Sequence, residues 1–284
     1  MNKFDPKVFK KLYRPPSNSH KGQNGKLMII GGSKLFHAAS LWSLKVASRI
    51  VDMVFYSSIS ENNQIVQKAK EEFRDGIVVP RDRIDDYINE VDCILIGPGL
   101  PREEGQEKGD DDTKGLTEKL LKKYPNKKWV IDGGSLQMMD LEIIPRSSIL
   151  TPHKGEFEVL KLKIKNEKLK TTIQNLKLEE QVKIFAEEFN CIVLLKGKED
   201  IICSPSECLI VEGGNAGMTK GGTGDVLAGL VAALYCKNQA FLSACAGSSI
   251  NKKAGDSLYK KVGYYFNASD LVDEIPKAMK KLIL

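Results

Sequence analysis

The sequence predicts an α/β fold: a three-layer α/β/α sandwich around a central, mostly parallel sheet. At least six apolar runs of strand length alternate with segments of helical spacing, which is the order of strands joined by crossover helices. Glycine-rich or polar segments follow several of these runs, so a ligand crevice is expected at the carboxyl ends of the strands. The 284 residues contain no linker, internal repeat or low-complexity tail, and we therefore predict a single domain over residues 1–284.

The composition is typical of a globular protein, with 42% hydrophobic and 28% charged residues. The net charge of +6 favours anionic partners weakly, and no basic stripe is interleaved with aromatic residues, so we expect no nucleic-acid partner. No run has the length and hydropathy of a membrane span or a signal peptide, which predicts a cytoplasmic protein with no membrane partner. The six cysteines are expected to be reduced and buried, and the three histidines are too far apart in sequence to predict a metal cluster.

The predicted elements follow this pattern from the N-terminus. Residues 1–25 are polar and irregular, residues 101–112 are a solvated loop, and the Lys-rich residues 160–180 are a solvent-facing insertion. The predicted strands are Lys26–Ile30, Met53–Tyr56, Gly76–Val79, Asp92–Ile96, Lys128–Ile131, a short one at Ile149 and Leu150, Cys191–Leu195, Ile201–Cys203 and Cys208–Val211. The predicted helices are His37–Val51, one between the second and third strands, Glu179–Phe189, Val226–Leu234, Ala240–Lys261 and Ala268–Lys281.

A glycine-rich stretch from Gly213 to Asp225 runs directly into an apolar helix. Glycines let backbone N–H groups approach an anion closely, and the first turn of a helix offers unpaired N–H groups with positive partial charge. The stretch therefore predicts a phosphate cradle around Gly221, Gly222 and Gly224. Asp225 at the edge of this cradle suits a base that deprotonates a substrate hydroxyl beside a phosphoryl group. The alternative is an acid that only complements the helix dipole.

Several strand ends carry further candidate residues. Gly99 follows the strand Asp92–Ile96 in a Gly-Pro-Gly segment, Asp132 follows Lys128–Ile131, His153 follows Thr151 and Pro152, and Lys196 follows Cys191–Leu195. Each has a structural alternative: a plain turn, a turn-stabilising aspartate, a structural histidine and a surface lysine. Pro152 fixes the backbone before His153, and Gly155 permits the close approach of a ligand, so binding by this histidine is favoured.

The segment Gly-Gly-Thr-Gly-Asp-Val-Leu-Ala-Gly at residues 221–229 resembles the NAD(P)H-hydrate dehydratases, the YjeF C-terminal domain family within the ribokinase-like superfamily. Further segments are similar to that family in order and rough spacing. They are His-Lys-Gly at 20–22, Gly-Pro-Gly-Leu at 97–100, the segment that begins at Asp132, the Lys-Gly turn at 196–197 and Thr-Pro-His-Lys-Gly-Glu at 151–156. The resemblance spans most of the chain, with Lys154 and His37 standing where the family usually has proline and glycine.

The resemblance implies a ribokinase-like fold and the repair of NADH or NADPH that carries an added water molecule. It implies phosphorylation of the ring hydroxyl by ADP or ATP and then elimination of phosphate, with Asp225 as the catalytic base. It also implies Mg²⁺ as a cofactor, without a dedicated protein metal site, and a homotetramer. The implied substrate-binding residues are Ala38, Gly99, His153 and Asp225, and the implied nucleotide-binding residues are Lys196, Gly197, Lys198, Glu199, Asp200, Gly221, Gly222, Thr223 and Gly224.

Two other functions fit parts of the same pattern. A small-molecule kinase of the ribokinase-like superfamily, acting on a vitamin precursor or a sugar hydroxyl, would use the same loop and Asp225 but stop at the phosphoester. A non-catalytic nucleotide-sensing module would need the loop alone. The Thr-Pro-His and Gly-Pro-Gly-Leu segments argue against the kinase. The carboxylate of Asp225 argues against pure binding, because an asparagine or serine would serve a phosphate better.

Overall fold

The computed structural model describes residues 2–68 and 76–284 and confirms the predicted sheet flanked by helical layers. In chain order the strands are β1 (Asn2–Lys3), β2 (Lys26–Ile30), β3 (Met53–Ser57), β4 (Ile77–Val78), β5 (Cys93–Ile96), β6 (Lys128–Ile131), β7 (Ile149–Leu150), β8 (Ile192–Leu195), β9 (Asp200–Cys203) and β10 (Cys208–Val211). They lie side by side in the order β1-β10-β9-β8-β7-β6-β5-β2-β3-β4. The pairs β8–β9 and β9–β10 are antiparallel and the other pairs are parallel, so the sheet is mostly parallel as predicted.

Helices cover both faces of this sheet. They are α1 (His37–Ala47), α2 (Ser60–Lys68), α3 (Ile84–Tyr87), α4 (Thr113–Lys123), α5 (Gly133–Met138), α6 (Lys154–Leu162), α7 (Glu167–Gln174), α8 (Leu178–Glu188), α9 (Thr223–Lys237), α10 (Ala240–Val262) and α11 (Ala268–Ile283). The helix predicted between the second and third strands is α2, and residues 69–75 beyond it lie outside the described residues. Of the helices described, none combines the length and apolarity needed to cross a bilayer.

The core has two sides because neighbouring side chains along the central strands point to opposite layers. In β2, Met28 and Ile30 pack with buried side chains of α4, α6 and α8. Leu27 and Ile29, between them in the sequence, pack with side chains of α1, α9 and α10 on the other face. A third apolar cluster joins α9 to α10 and α11. These continuous apolar strands are buried on both faces, which explains why they lack polar alternation.

Helix α9 lies on the same face of the sheet as α1 and α10. Glycines at two close contacts with these helices set its position. A methyl group on Gly229 would lie 2.6 Å from Cα of Ser43 in α1. A methyl group on Gly247 of α10 would lie 2.6 Å from Cγ2 of Val231 in α9. Both distances are shorter than carbon atoms tolerate, so α9 reaches its place only because neither residue has a side chain.

Two expectations about the periphery are wrong. The N-terminal segment is not wholly irregular, since β1 pairs in parallel with β10 and the 3₁₀ helix Pro6–Lys11 buries Phe9. The insertion at residues 160–180 does not only face solvent, because it forms α7 and buries Ile164 and Ile173 in the core. The many lysines of this segment made its short amphipathic pattern hard to recognise in the sequence. Two buried apolar residues are enough to attach the segment to the core.

The expectation that all six cysteines are reduced is also wrong for one pair. Cys203 and Cys208 form a disulfide, because the antiparallel pairing of β9 and β10 sets them directly opposite each other. Their separation of five residues spans the hairpin turn at Pro205 and Ser206. The remaining cysteines are free and buried, as expected: Cys93, Cys191, Cys236 and Cys245.

Candidate active site

The carboxyl ends of the central parallel strands open onto one crevice. The segments that follow β2, β5, β6, β7 and β8 are Gly31–Ser33, Gly97–Gly99, Asp132, Thr151–His153 and Lys196, respectively. The N-terminus of α9 reaches the same edge, since Lys196 Nζ lies 3.4 Å from the position that a methyl group on Gly224 would occupy. The fold therefore gathers candidate residues from five strand ends and one helix, as expected for a crevice in an α/β sheet.

Asp225 is the third residue of α9 and is partly buried. Its backbone carbonyl accepts a hydrogen bond of 2.8 Å from Ser43 Oγ, which ties the first turn of α9 to α1. Burial raises the pKa of the Asp225 carboxyl to about 7, the negative charges of Asp132 and Glu156 also raise it, and the ammonium of Lys196 opposes them. A carboxyl with this pKa can accept a proton and release it near neutral pH, which suits a general base.

Lys196 points inward, between carboxylates. Its Nζ lies 3.1 Å from Asp132 Oδ1 and 3.8 Å from Glu156 Oε2, and 18% of its side chain is exposed. Burial by itself lowers the pKa of Lys196, but the charges of Asp132 and Glu156 outweigh it and leave that pKa above its usual value. The surface-lysine alternative is therefore wrong, and the residue is a charged part of the site.

His153 is the N-cap of α6 and its imidazole extends into the crevice region. Glu156 N donates to His153 Nδ1 at 3.2 Å, and His153 N donates to Glu156 Oε2 at 2.8 Å, so the two residues form a capping box. Glu156 Oε1 accepts from Gln137 Nε2 at 3.1 Å. The side chain of His153 is 54% exposed, and its Nε2 lies 3.6 Å from Glu156 Oε1, so part of the ring is open to a ligand while Nδ1 holds the helix cap.

A cavity of about 620 Å³ lies next to the first turn of α9, where Thr223 and Gly224, the two residues before Asp225, line it. It is bounded by the turn after β8, the glycine-rich loop after β10, the first turns of α9 and the middle of α10. Its lining residues are Lys196, Gly197, Lys198, Asp200, Gly213, Gly214, Asn215, Ala216, Met218, Thr219, Thr223, Gly224, Leu227, Asn251 and Lys252. This volume and its mixed polar and apolar lining suit a small organic ligand such as a nucleotide.

The turn at residues 196–200 is held in shape from within. Asp200 Oδ1 accepts from Gly197 N at 2.9 Å, and Asp200 Oδ2 accepts from Ser248 Oγ at 2.7 Å. Lys252 Nζ lies 3.1 Å from Asp200 Oδ1 and donates to the Gly197 carbonyl at 3.0 Å. Asp200 is a predicted nucleotide-binding residue, and its carboxylate serves to fix the turn against α10. Glu199, also predicted, is exposed and does not line the cavity.

The predicted phosphate cradle divides into two parts. Thr223 and Gly224 line the cavity, whereas Gly221 and Gly222 do not. Gly222 is the N-cap of α9 with φ 91°, a left-handed conformation that glycine adopts without strain, and a methyl group there would overlap the ring of Trp42. Gly221 faces open space. The N–H group of Gly224 lies in the first helical turn, where amides have no partner within the helix and remain available to an anion.

Gly99 borders the crevice on the side of β2 and β5. Its φ of 71° and its close approach to the Phe36 carbonyl require a glycine. A methyl group at Gly99 would lie 3.0 Å from Cβ of Ala39, so Ala39 is the alanine of α1 that faces this glycine. Ala38, the predicted contact, is partly buried one residue earlier in the helix.

The described residues include no group of three or more His, Cys, Asp or Glu side chains arranged to hold a metal ion. The two carboxylates closest to such a role already have partners: Asp132 Oδ1 accepts from Thr151 Oγ1 at 2.8 Å, and Glu156 is part of the capping box. The donor set therefore does not fit a protein-held Mg²⁺ site, and we derive no step through one.

Sequence reasoning did not assign several residues that the fold brings to the site. Lys252 and Asn251 reach the cavity from α10. This helix is far from β8 in the sequence but adjacent in space to the turn after it. Glu156 stands in the quoted Thr-Pro-His-Lys-Gly-Glu segment, yet its contact with Lys196 was not expected. Their signals in the sequence are weak because a lysine or asparagine within a helix usually faces solvent.

The chain matches the family model described as NAD(P)H-hydrate dehydratase over residues 27–277. It is 38% identical over 281 residues to the bifunctional NAD(P)H-hydrate repair enzyme Nnr of Methanocaldococcus jannaschii, covering 95% of this chain and 51% of that protein. It is 33% identical over 283 residues to the ADP-dependent (S)-NAD(P)H-hydrate dehydratase of Nitrosopumilus maritimus, covering 93% and 91%. The chain thus spans about half the length of the bifunctional relatives.

Solved structures share the same architecture. The ADP/ATP-dependent NAD(P)H-hydrate dehydratase of Bacillus subtilis, co-crystallized with ATP/Mg²⁺, superposes with a TM-score of 0.77 at 20% identity, covering 99% of this chain and 98% of that one. A ribokinase-like superfamily protein of Enterococcus faecalis superposes with a TM-score of 0.78 at 22% identity, covering 99% and 96%. At these identities the likeness concerns the fold alone, and it confirms the predicted ribokinase-like fold.

Proposed function

The chain belongs to the NAD(P)H-hydrate dehydratase family, and on that premise we propose that it dehydrates (6S)-NADHX and NADPHX back to NADH and NADPH at the expense of ADP or ATP. The observation that carries the proposal is the position of Asp225. Its carboxyl, with a pKa of about 7, is within electrostatic reach of Asp132, Lys196 and Glu156 at the crevice, and the two residues directly before it, Thr223 and Gly224, line the cavity. A base in that position can serve a hydroxyl on one side and a phosphoryl group on the other.

The reaction has two steps in this proposal. The ring hydroxyl loses its proton to Asp225, its oxygen attacks the terminal phosphorus of the nucleotide, and AMP or ADP leaves. The carbon–oxygen bond then breaks, inorganic phosphate leaves, and a neighbouring ring carbon loses a proton to restore the dihydronicotinamide. Hydroxide is a poor leaving group and phosphate is a good one, which is why a nucleotide must be consumed.

The cavity side supports nucleotide binding by the turn at 196–200 and by the first turn of α9. The N–H group of Gly224 and the hydroxyl-bearing residue Thr223 face the space where phosphates would lie. We propose that Lys196, Gly197 and Lys198 border the same phosphates, with Mg²⁺ carried on the nucleotide itself. Gly221 contributes loop flexibility in this proposal, since nothing packs on it.

On the crevice side we propose that Gly99 and His153 contact the hydrated nicotinamide, together with the α1 alanines Ala38 and Ala39. Glycine at 99 keeps the floor open, and His153 Nε2 offers a hydrogen bond. We further propose that the protein works in the cytoplasm as a homotetramer. The apolar stripe of the C-terminal helix α11 packs in the third cluster, so the tetramer is proposed on the family resemblance alone.

The test is to supply hydrated NADH or NADPH with ADP or ATP in turn and to measure dihydronicotinamide absorbance, phosphate and nucleotide products. We expect stoichiometric NADH, inorganic phosphate and AMP or ADP, and a loss of turnover of about 10²–10⁴-fold in Asp225→Asn. Accumulation of a stable phosphoester would instead identify a small-molecule kinase. Nucleotide binding without any turnover would identify a sensing module.

A further inference from the structure

Two carboxylates and one lysine ammonium occupy the interior of the site, and the exposed guanidinium of Arg102 lies 3.8 Å from Glu156 Oε1. Lys196 Nζ lies 3.1 Å from Asp132 Oδ1 and 3.8 Å from Glu156 Oε2. It also lies beside the first turn of α9, which carries Asp225, because it is 3.4 Å from the position that a methyl group on Gly224 would occupy. Asp132 and Glu156 are both nearly completely buried, at 3% and 4% exposure. Charges in such a setting interact strongly because little water screens them.

The segment at Thr151 and Pro152, which follows β7, fixes the positions of Lys196 and Asp132 on either side of it. Lys196 N donates to the Pro152 carbonyl at 2.8 Å, and Thr151 Oγ1 donates to Asp132 Oδ1 at 2.8 Å. The strand end at Thr151 and Pro152 therefore braces both residues. The 3.1 Å contact of Lys196 Nζ with Asp132 Oδ1 then closes the pair.

The charges that face Asp225 come from three elements. The segment after β8 supplies Lys196, whose Nζ lies 3.4 Å from the methyl position of Gly224, the residue before Asp225. The segment after β6 supplies Asp132 and α6 supplies Glu156, at 3.1 Å and 3.8 Å from that same Nζ. Helix α1 contributes the neutral hydroxyl of Ser43. His153 lies on the far side of Glu156, with Nε2 at 3.6 Å from Oε1.

We propose that Lys196 and Asp132 are positioning residues for Asp225, an opposed pair of charges that together set the pH at which Asp225 becomes a base. The ammonium favours the ionised carboxylate of Asp225, and the carboxylate of Asp132 both disfavours it directly and neutralises part of the ammonium. Nucleotide binding by Lys196 is then secondary to its action on Asp225. This inference rests on the proposed function for its kinetic readout, and on geometry for the rest.

The test is the pH profile of kcat/KM for hydrated NADH in single variants. Lys196→Met should move the acid limb up by about one to two pH units, and Asp132→Asn should move it down by a similar amount, because charges a few ångströms apart have effects of that size. Lys196→Arg should restore a limb near that of the wild type. General damage to the site lowers the plateau but does not move the limb in opposite directions in the two variants.

Lys161→Met is the matched control. Lys161 is another buried lysine that contacts a carboxylate, Glu158, but it lies at the far end of α6. Its loss should leave the limb in place. Limbs that stay fixed, or that move in the same direction in Lys196→Met and Asp132→Asn, would overturn the inference. If Lys196→Met does not fold, Asp132→Asn alone decides, since an unmoved limb contradicts the proposal.

A second readout separates this inference from the proposed function. The ¹³C carboxyl resonance of Asp225, assigned by its absence in Asp225→Asn, titrates without any substrate. Opposite shifts of that titration in the two variants support the pair even if the wild-type protein does not turn over hydrated NADH. An unchanged titration rejects the pair even if turnover is rapid.

Discussion

Asp225→Asn is expected to stabilise the protein, but only at pH values at which the carboxyl of the wild type loses its proton. Folding raises the pKa of Asp225 from its ordinary value of 3.8 to about 7, so the folded state binds this proton more tightly than the unfolded state does. Below the unfolded pKa, both states are protonated and the residue has no differential effect. As the pH rises through the folded pKa, the wild type loses stability that the neutral asparagine keeps.

The magnitude follows from the size of the shift. Three pKa units correspond to about 4 kcal/mol at about pH 8. The gain should be smaller than this limit, about 1–3 kcal/mol, because Lys196 loses a favourable charge interaction and the amide must be accommodated in a partly buried place. At about pH 4 the difference between the two proteins should be close to zero.

The assay is urea unfolding of wild type and Asp225→Asn at a series of pH values, with the difference plotted against pH. Titrations shared by the two proteins cancel in this difference. Asp270→Asn is the control, since Asp270 holds the same third position in α11, is exposed, and accepts from Asn267 N at 2.8 Å in a capping box. It should lose up to about 1 kcal/mol at neutral pH. A difference for Asp225→Asn that is flat with pH, or destabilising at pH 8, would refute the reasoning.

Three further outcomes are expected. His153→Asn keeps an N-cap acceptor for α6 and removes the accessible Nε2, so calorimetry should find hydrate binding weakened about tenfold and nucleotide binding unchanged; equal affinities would make His153 a structural residue. Gly222→Ala should lower the free energy of unfolding by at least about 1 kcal/mol, through left-handed strain and overlap with Trp42, and should lower the melting temperature with it. Gly221→Ala adds a methyl group in open space and should melt like the wild type. Light scattering should give a tetramer of the 31.5 kDa chain, and a monomer at micromolar concentration would remove that expectation.

The fold was predictable because its strands carry their own signal. A strand such as β5, buried on both faces, must be apolar throughout, and the glycine segment after it marks where the chain turns at the crevice. Helix α9, which begins at the candidate site, was equally clear in the sequence, because a glycine-rich loop followed by a long apolar run predicts a buried helix. Conversely, the two antiparallel strands β9 and β10 look like any others, so the disulfide that their register permits was missed.

The site was predictable by residue type but not by partner. Lys196 and Asp132 each stand at a strand end, yet only the sheet order, which sets β7 between β6 and β8, brings them to 3.1 Å. Asp200 looked like part of a nucleotide-binding turn, and the groups that occupy its carboxylate come from α10, about fifty residues later. Ala38 and Ala39 differ by one residue, which is 100° around a helix, and sequence alone does not fix that rotation.

The sign of the Asp225 effect also needed the structure. At the first turn of an exposed helix, an aspartate complements the dipole and its loss costs up to about 1 kcal/mol. Burial beside Asp132 and Glu156 reverses this, because the ionised form is then the less favourable one. The ionised state that the proposed base requires is thus maintained at the expense of the stability of the fold.

Under the proposed mechanism, the glycine contacts that position α9 make catalysis sensitive to residues that lie outside the crevice and the cavity. Gly229 lies more than one helical turn beyond Asp225, and Gly247 belongs to another helix, yet each limits how deeply α9 can settle against its neighbours. A single methyl group at either place would force α9 to shift as a rigid body, and Asp225 lies in the first turn of this helix. Displacements of a fraction of an ångström at such a distance become misalignment of the proton acceptor, so mutations that inactivate this protein should map along the length of α9 as well as around the crevice.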